Sequence, residues 1–183
     1  MKNRLLFPIQ HRGAWLLFKE CQNHGWKAED ADYSDELGEF QSELENEQRQ
    51  AIRVSVASAA IDSYLFSDFS CNLFKRFEEV EKRCFLAFQL GAYLNHHEAY
   101  NNILQMIAVG EKDQNDAIRE VEASDCYWGK RDCLKDDSST ISEKLVTYCW
   151  LKGILGSVLC FTLFSLKKIR DPEGRFRVLP ADS

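Results

Sequence analysis

The sequence predicts an all-α fold, a single-domain helical bundle around a central apolar C-terminal helix, and three observations carry that expectation. Lys152 is the only charge in the largely apolar stretch Leu145 to Leu166, so the stretch must be buried in protein or lipid. Apolar residues elsewhere recur at spacings of three and four, the helical period. The chain of 183 residues contains only 3 prolines and 9 glycines, which favours long helices over turns. A chain of this length buries roughly 70% of its unfolded surface on folding, enough for one domain without staples. Residues 1–183 are therefore expected to form one helical domain, with 171–183 as an extended C-terminal tail.

The opening, MKNRLLFPIQHRGAW, has too short an apolar run for a secretory signal. Ala14 to Phe18 then predicts a short first helix that Gly25 closes. From about Phe40 a second helix begins, in which Ile52, Val56, Ala59, Ala60 and Ser63 form one stripe beside Val54, Ala57, Ile61 and Leu65. Its alanines and serines allow close approach of another helix. A break is expected near Ser67 to Ser70, and Phe66, Phe69, Leu73, Phe77, Val80, Cys84 and Phe88 recur at spacings of three and four as an aromatic stripe. Lys75, Glu79 and Arg83, spaced by four, mark its solvated side.

Asn95-His96-His97-Glu98 reads as a new helix start, with Asn95 as cap and Glu98 reaching back to it. Tyr100, Ile103, Leu104 and Ile107 follow as an amphipathic face up to Gly110. Glu111 to Gly129 is expected as an exposed, weakly packed helix, and Lys130 to Ser139 as a polar loop. Thr140-Ile141-Ser142-Glu143 is a capping-box pattern that starts the apolar helix, which runs to about Arg170 before Asp171-Pro172-Glu173-Gly174 turns the chain.

Chemistry is not signalled by any local motif. His96-His97-Glu98 has ligand-type residues, but no Glu-x-x-His or His-Glu-x-x-His pattern occurs, so no metal or cofactor is expected. Glu20 and His24, four apart, read as a surface pair. The glycines form no phosphate-binding pattern. Lys167, Lys168, Arg170, Arg175 and Arg177 cluster near the C-terminus, yet a pI near 5.3 opposes binding to nucleic acid. The 7 cysteines are odd in number and scattered, without Cys-x-x-Cys. They read as reduced thiols in a cytoplasmic protein, Cys84, Cys149 and Cys160 lying within apolar periodicity. Leu145 to Leu166 has the length to span a roughly 30 Å hydrocarbon core. Lys152 and the wide apolar faces of the earlier helices instead predict burial in protein, with no stable membrane insertion.

Charge is concentrated in one place. Glu29 to Glu47 carries Glu29, Asp30, Asp32, Asp35, Glu36, Glu39, Glu43, Glu45 and Glu47 with no lysine or arginine, although the whole chain is only −6. Such a run is a solvated face or a docking surface for a basic partner. The docking surface proposed by the sequence comprises Asp30, Asp32, Tyr33, Asp35, Glu36, Glu39, Phe40 and Glu43, in which charge steers and the aromatic residues anchor.

A small, acidic, helical, cysteine-containing chain without a catalytic motif resembles, in overall character, the immunity proteins that bacteria make against polymorphic or contact-delivered toxins. The resemblance implies a non-enzymatic inhibitor that binds a basic toxin domain and blocks its active site. No motif is matched and no functional residue is carried over. The alternative expectation is a small-ligand or lipid-binding protein with a pocket between the aromatic helix and Leu145 to Leu166.

Overall fold

A computed structural model of the chain describes residues 5–42, 44–136 and 138–155. The described residues form an all-helical single-domain bundle, as the helical periodicity and scarcity of turn-formers require. Two long helices organise it. Helix α3 spans Asn46–Arg76 and α4 spans Val80–Ile107, and they pack along most of their length. Before them come α1 (Arg12–Asn23), a 3₁₀ turn (Ala28–Asp30) and α2 (Ser34–Ser42). After them come α5 (Gly110–Glu122), α6 (Asp125–Lys135) and α7 (Ile141–Trp150), which passes into a π-helical turn at Leu151–Leu155.

Helix α3 starts on a capping box in which Glu45 N–H donates to the Gln48 side chain at 3.0 Å and the Glu45 carboxylate accepts from the backbone of Gln48. It does not break at Ser67 to Ser70. Ser67 Oγ donates to the Tyr64 carbonyl at 2.7 Å and Ser63 Oγ to the Ala59 carbonyl at 2.9 Å, so these hydroxyls are satisfied within the helix. Ser63, Ser67 and Ser70 are buried, their small side chains lying in the crowded centre of the bundle. The actual break is at Phe77–Glu79, between the two long helices.

Helix α4 likewise runs through the expected start at Asn95. The Asn95 carboxamide does not cap; its Oδ1 accepts from Ala28 N–H at 3.0 Å and its Nδ2 donates to the Trp26 carbonyl at 2.9 Å, tying the 3₁₀ turn to α4. Glu81, also on α4, holds the N-terminal segment: its Oε1 accepts from the backbone N–H groups of Gln10 at 2.7 Å and His11 at 3.2 Å. Helix α1 follows and lies on α4 through Phe18 and Phe88, whose ring centroids are 6.5 Å apart. His24 Nδ1 bonds the Glu20 backbone carbonyl at 2.9 Å, so the expected Glu20–His24 pair is a contact with the main chain.

The core has two connected parts. One gathers Leu65, Phe66, Phe69, Leu73, Leu86, Tyr93 and Leu134, with Tyr148 and Leu151 packed against it. The other joins Val56, Ala57 and Leu104 to Ala117 and Val121 of α5. Each large apolar side chain so buried contributes about 1.5–3 kcal/mol. The stretch after Glu111 is therefore anchored rather than weakly packed, through Ala117 and Val121. The expected loop from Lys130 begins inside α6, because Lys130 is drawn in by Asp62 of α3.

Helix α7 begins on the predicted capping box: Thr140 N–H donates to Glu143 Oε2 at 2.8 Å, and Glu143 N–H donates to Thr140 Oγ1 at 3.3 Å. Tyr148 and Leu151 meet the core, while Val146, Trp150 and Ile154 are exposed. The described part of the apolar segment thus meets the bundle by one face, and the pair α3–α4 holds the centre. No helix among the described residues is long and apolar enough to cross a membrane. The remainder of the segment, the tail 171–183, the C-terminal basic cluster, Cys160 and Glu43 lie outside the described residues.

Candidate functional site

Bundles place functional groups on the inward faces of their long helices, and here that region lies between α3, α4 and α7. Phe66 and Phe69 come from α3, Tyr93 and His96 from α4, Tyr148 and Lys152 from α7 and its π-helical extension. The helical period puts Tyr93 and His96 on one face of α4 and Phe66 and Phe69 on one face of α3. Tyr148 and Lys152 are likewise one turn apart.

The rings are in mutual contact. Tyr148 stacks on Phe69 with centroids 5.3 Å apart and planes 6° apart, and meets Phe66 edge-on at 5.7 Å. Tyr93 lies 5.7 Å from Phe66 and 6.5 Å from Tyr148. The Tyr148 hydroxyl donates to Gln89 Oε1 at 3.4 Å, and burial, with the Cys149 thiol as a lesser cause, pushes its pKa up to about 12. It stays protonated at any physiological pH.

Lys152 closes this cluster on one side. From an exposed stem its Nζ lies 4.9 Å from the Tyr93 ring centroid and 5.2 Å from that of Phe66, cation–π contacts with buried rings. His96 stands nearby, 5.2 Å from Trp26 and 6.5 Å from Tyr100 by ring centroids. Its pKa is lowered, first by burial and then by the positive charge of Lys152, so the ring is neutral at pH 7. His97, its neighbour, points elsewhere, with Nδ1 donating to the Ala60 carbonyl at 2.9 Å.

A dinuclear metal centre, which helical bundles build from carboxylates and Glu-x-x-His pairs, does not fit the donors present. Tyr93 and Leu94 stand three places before His96 and His97. Asp62 is bonded to Lys130, and Glu81 to the backbone of Gln10 and His11. Among the described residues no three His, Cys, Asp or Glu side chains gather as a metal site.

Among the described residues, the docking residues named from sequence are carried by the 3₁₀ turn, residues 31–33 and α2. Asp30 ends the 3₁₀ turn and is exposed, as is Asp32, while Tyr33 is half-buried. Asp35, Glu36 and Glu39 belong to α2. Phe40 is only 8% exposed and belongs to the core, so it is not presented as an anchor. The apolar pocket expected between the aromatic helix and the Leu145 segment is filled by the packed rings of Phe66, Phe69, Tyr93 and Tyr148. A cavity of about 490 Å³ lies elsewhere, lined by Leu5, His11, Phe77, Glu79, Glu81 and Ile141 among others.

Comparison with known proteins identifies what motif reading missed. The family described as "Ribonucleotide reductase, small chain" matches residues 3–170. The ribonucleoside-diphosphate reductase small chain of Spisula solidissima is 26% identical over 168 residues, covering 90% of this chain and 44% of the relative. The corresponding small chain of Nicotiana tabacum is 27% identical, with 89% of this chain and 50% of the relative covered. Subunit M2 of the Homo sapiens enzyme is also 27% identical, covering 90% and 43%. The chain therefore spans about half the length of the curated relatives it matches. The crystal structure of a putative class I ribonucleotide reductase from Bacillus halodurans shares the fold, with a TM-score of 0.71 and 14% identity over 85% of this chain and 57% of that one.

These matches overturn the resemblance to immunity proteins, which rested on overall character without a motif. With it fall the non-enzymatic inhibitor, the basic toxin domain as partner, and the ligand- or lipid-binding alternative. Lys152, the lone charge in Leu145 to Leu166, is a sequence feature that could have pointed to the region, but from sequence it bears only on membrane insertion.

Proposed function

The chain belongs to the ribonucleotide reductase small chain family, and from that premise we propose that it works as a small-chain subunit of a ribonucleoside-diphosphate reductase. The observation that carries this reading is the family match over residues 3–170, which takes in every helix from α1 to α7 and the α3–α4 core. The chain acts as part of an enzyme, in an assembly whose chemistry is the reduction of a ribonucleoside diphosphate. Its partner is the reductase's large chain. Its compartment is the cytoplasm, where the exposed thiols of Cys126, Cys133 and Cys149 stay reduced.

Affinity capture of the chain from its own host, expressed at its natural level, tests the proposal. Stoichiometric recovery of a reductase large chain is expected. Recovery of the folded chain without any reductase chain would contradict it.

A further inference from the structure

Bundles that hold a di-iron or di-manganese centre supply a Glu from each of two helices and a Glu-x-x-His from each of the other two, all directed inward. Carboxylates are needed because hard cations prefer anionic oxygen and because their negative charge offsets that of two metal ions. In this chain the corresponding faces carry different chemistry. Helix α3 offers the rings of Phe66 and Phe69, and α4 offers Tyr93 one turn before His96, where a Glu-x-x-His would have its carboxylate. The π-helical turn after α7 brings an ammonium group, Lys152 Nζ, onto the Tyr93 and Phe66 rings.

We infer that the bundle core of this chain is closed to a dinuclear metal centre, the Lys152 ammonium standing on Phe66 and Tyr93 beside His96 where such a centre would require carboxylates. Two features of the packing bear this out. Phe66 and Tyr93 are 4% and 3% exposed and their ring centroids are 5.7 Å apart, so packed rings and not oxygen ligands stand between α3 and α4 there. A metal ion beside His96 would also meet the positive charge of Lys152, which already acts on that imidazole. The carboxylates of α3 and α4 closest in sequence to these rings offer no relief: Asp62 is committed to Lys130, and Asp68 and Glu98 are exposed.

Closure of the core is a property of this chain alone and does not rest on its reductase partnership. The full chain, incubated anaerobically with excess Fe(II) or with Mn(II) and then desalted, is expected to retain metal far below one equivalent by elemental mass spectrometry. Its melting temperature is expected to be the same with and without the ion, since a ligand that binds the native state would raise it. Retention of one or two equivalents that disappears in His96→Ala, with that variant still folded by circular dichroism, would overturn the inference. Retention that survives His96→Ala places the ion outside the core and agrees with it.

A second readout bears on Lys152 itself. In Lys152→Met the His96 pKa is expected to rise when followed by NMR, because the repelling cation is gone; an unchanged titration would overturn the placement of the ammonium. A chain that binds core metal yet captures a reductase refutes this inference alone. A metal-free chain that captures none refutes the proposed function alone.

Discussion

Lys130 of α6 places its ammonium 2.7 Å from each carboxylate oxygen of Asp62 of α3, joining two helices through residues 68 apart in the chain. The side chains are 10% and 17% exposed, so the pair is largely withdrawn from water. Removing one partner leaves a charge without compensation. Asp62→Asn or Lys130→Met alone should lower unfolding free energy by roughly 3–5 kcal/mol, and the double change Asp62→Leu with Lys130→Met should recover most of it. Urea unfolding followed by circular dichroism checks both values.

The aromatic cluster should dominate the stability of the bundle. Phe69 is 2% exposed and stacks on Tyr148, so Phe69→Ala should cost roughly 3–5 kcal/mol. Thr140→Ala removes a capping hydroxyl at the start of α7 and should cost only about 0.5–2 kcal/mol. The ordering of the two, read from thermal melts, tests whether packing or capping secures this part of the chain.

Acid should loosen the N-terminal segment first. Glu79 is held at about 2, below its ordinary 4.5, chiefly by its hydrogen bond from Lys82, and Glu81 is lowered chiefly by the Gln10 N–H. Each carboxylate is thus more acidic folded than unfolded. The stabilisation is complete above the unfolded value of 4.5 and is lost as pH falls from there towards the folded value, about 2 for Glu79. Glu81→Gln should flatten this part of the pH dependence and release residues 5–11, which amide hydrogen exchange would detect as faster exchange at Gln10 and His11.

Thiol reactivity should follow exposure. Cys126, Cys133 and Cys149 are exposed, whereas Cys21, Cys71 and Cys84 are half-buried. The first three should react with a disulfide reagent before the others. Cys149 is a correction to the expectation of burial: α7 turns it outward while Tyr148 next to it faces the core.

The helical class, the stripes of α3 and the capping box at Thr140 were legible because each is a local consequence of residue type. What could not be read depends on partners distant in sequence. Asn95 looks like a cap until Ala28 and Trp26 satisfy its carboxamide, and Lys130 looks like a loop residue until Asp62 buries it. Ser67 and Ser70 look like a break because hydroxyls favour turns, yet in a crowded interface their small size is what counts. Phe40 sits among carboxylates in sequence but inside the fold in space. The candidate site was hidden for the same reason: Phe66, Tyr93 and Lys152 are spread over three helices and match no spacing rule. The family was hidden because its match is spread over residues 3–170 at about 27% identity to its relatives, with no short motif in the sequence to carry it.

Membership in a reductase assembly is measured most directly by binding. Sedimentation velocity of the purified chain mixed with the purified reductase large chain of its host should show a faster-moving complex containing both proteins. Independent sedimentation of the two, at micromolar concentration and with both chains folded, would contradict the account.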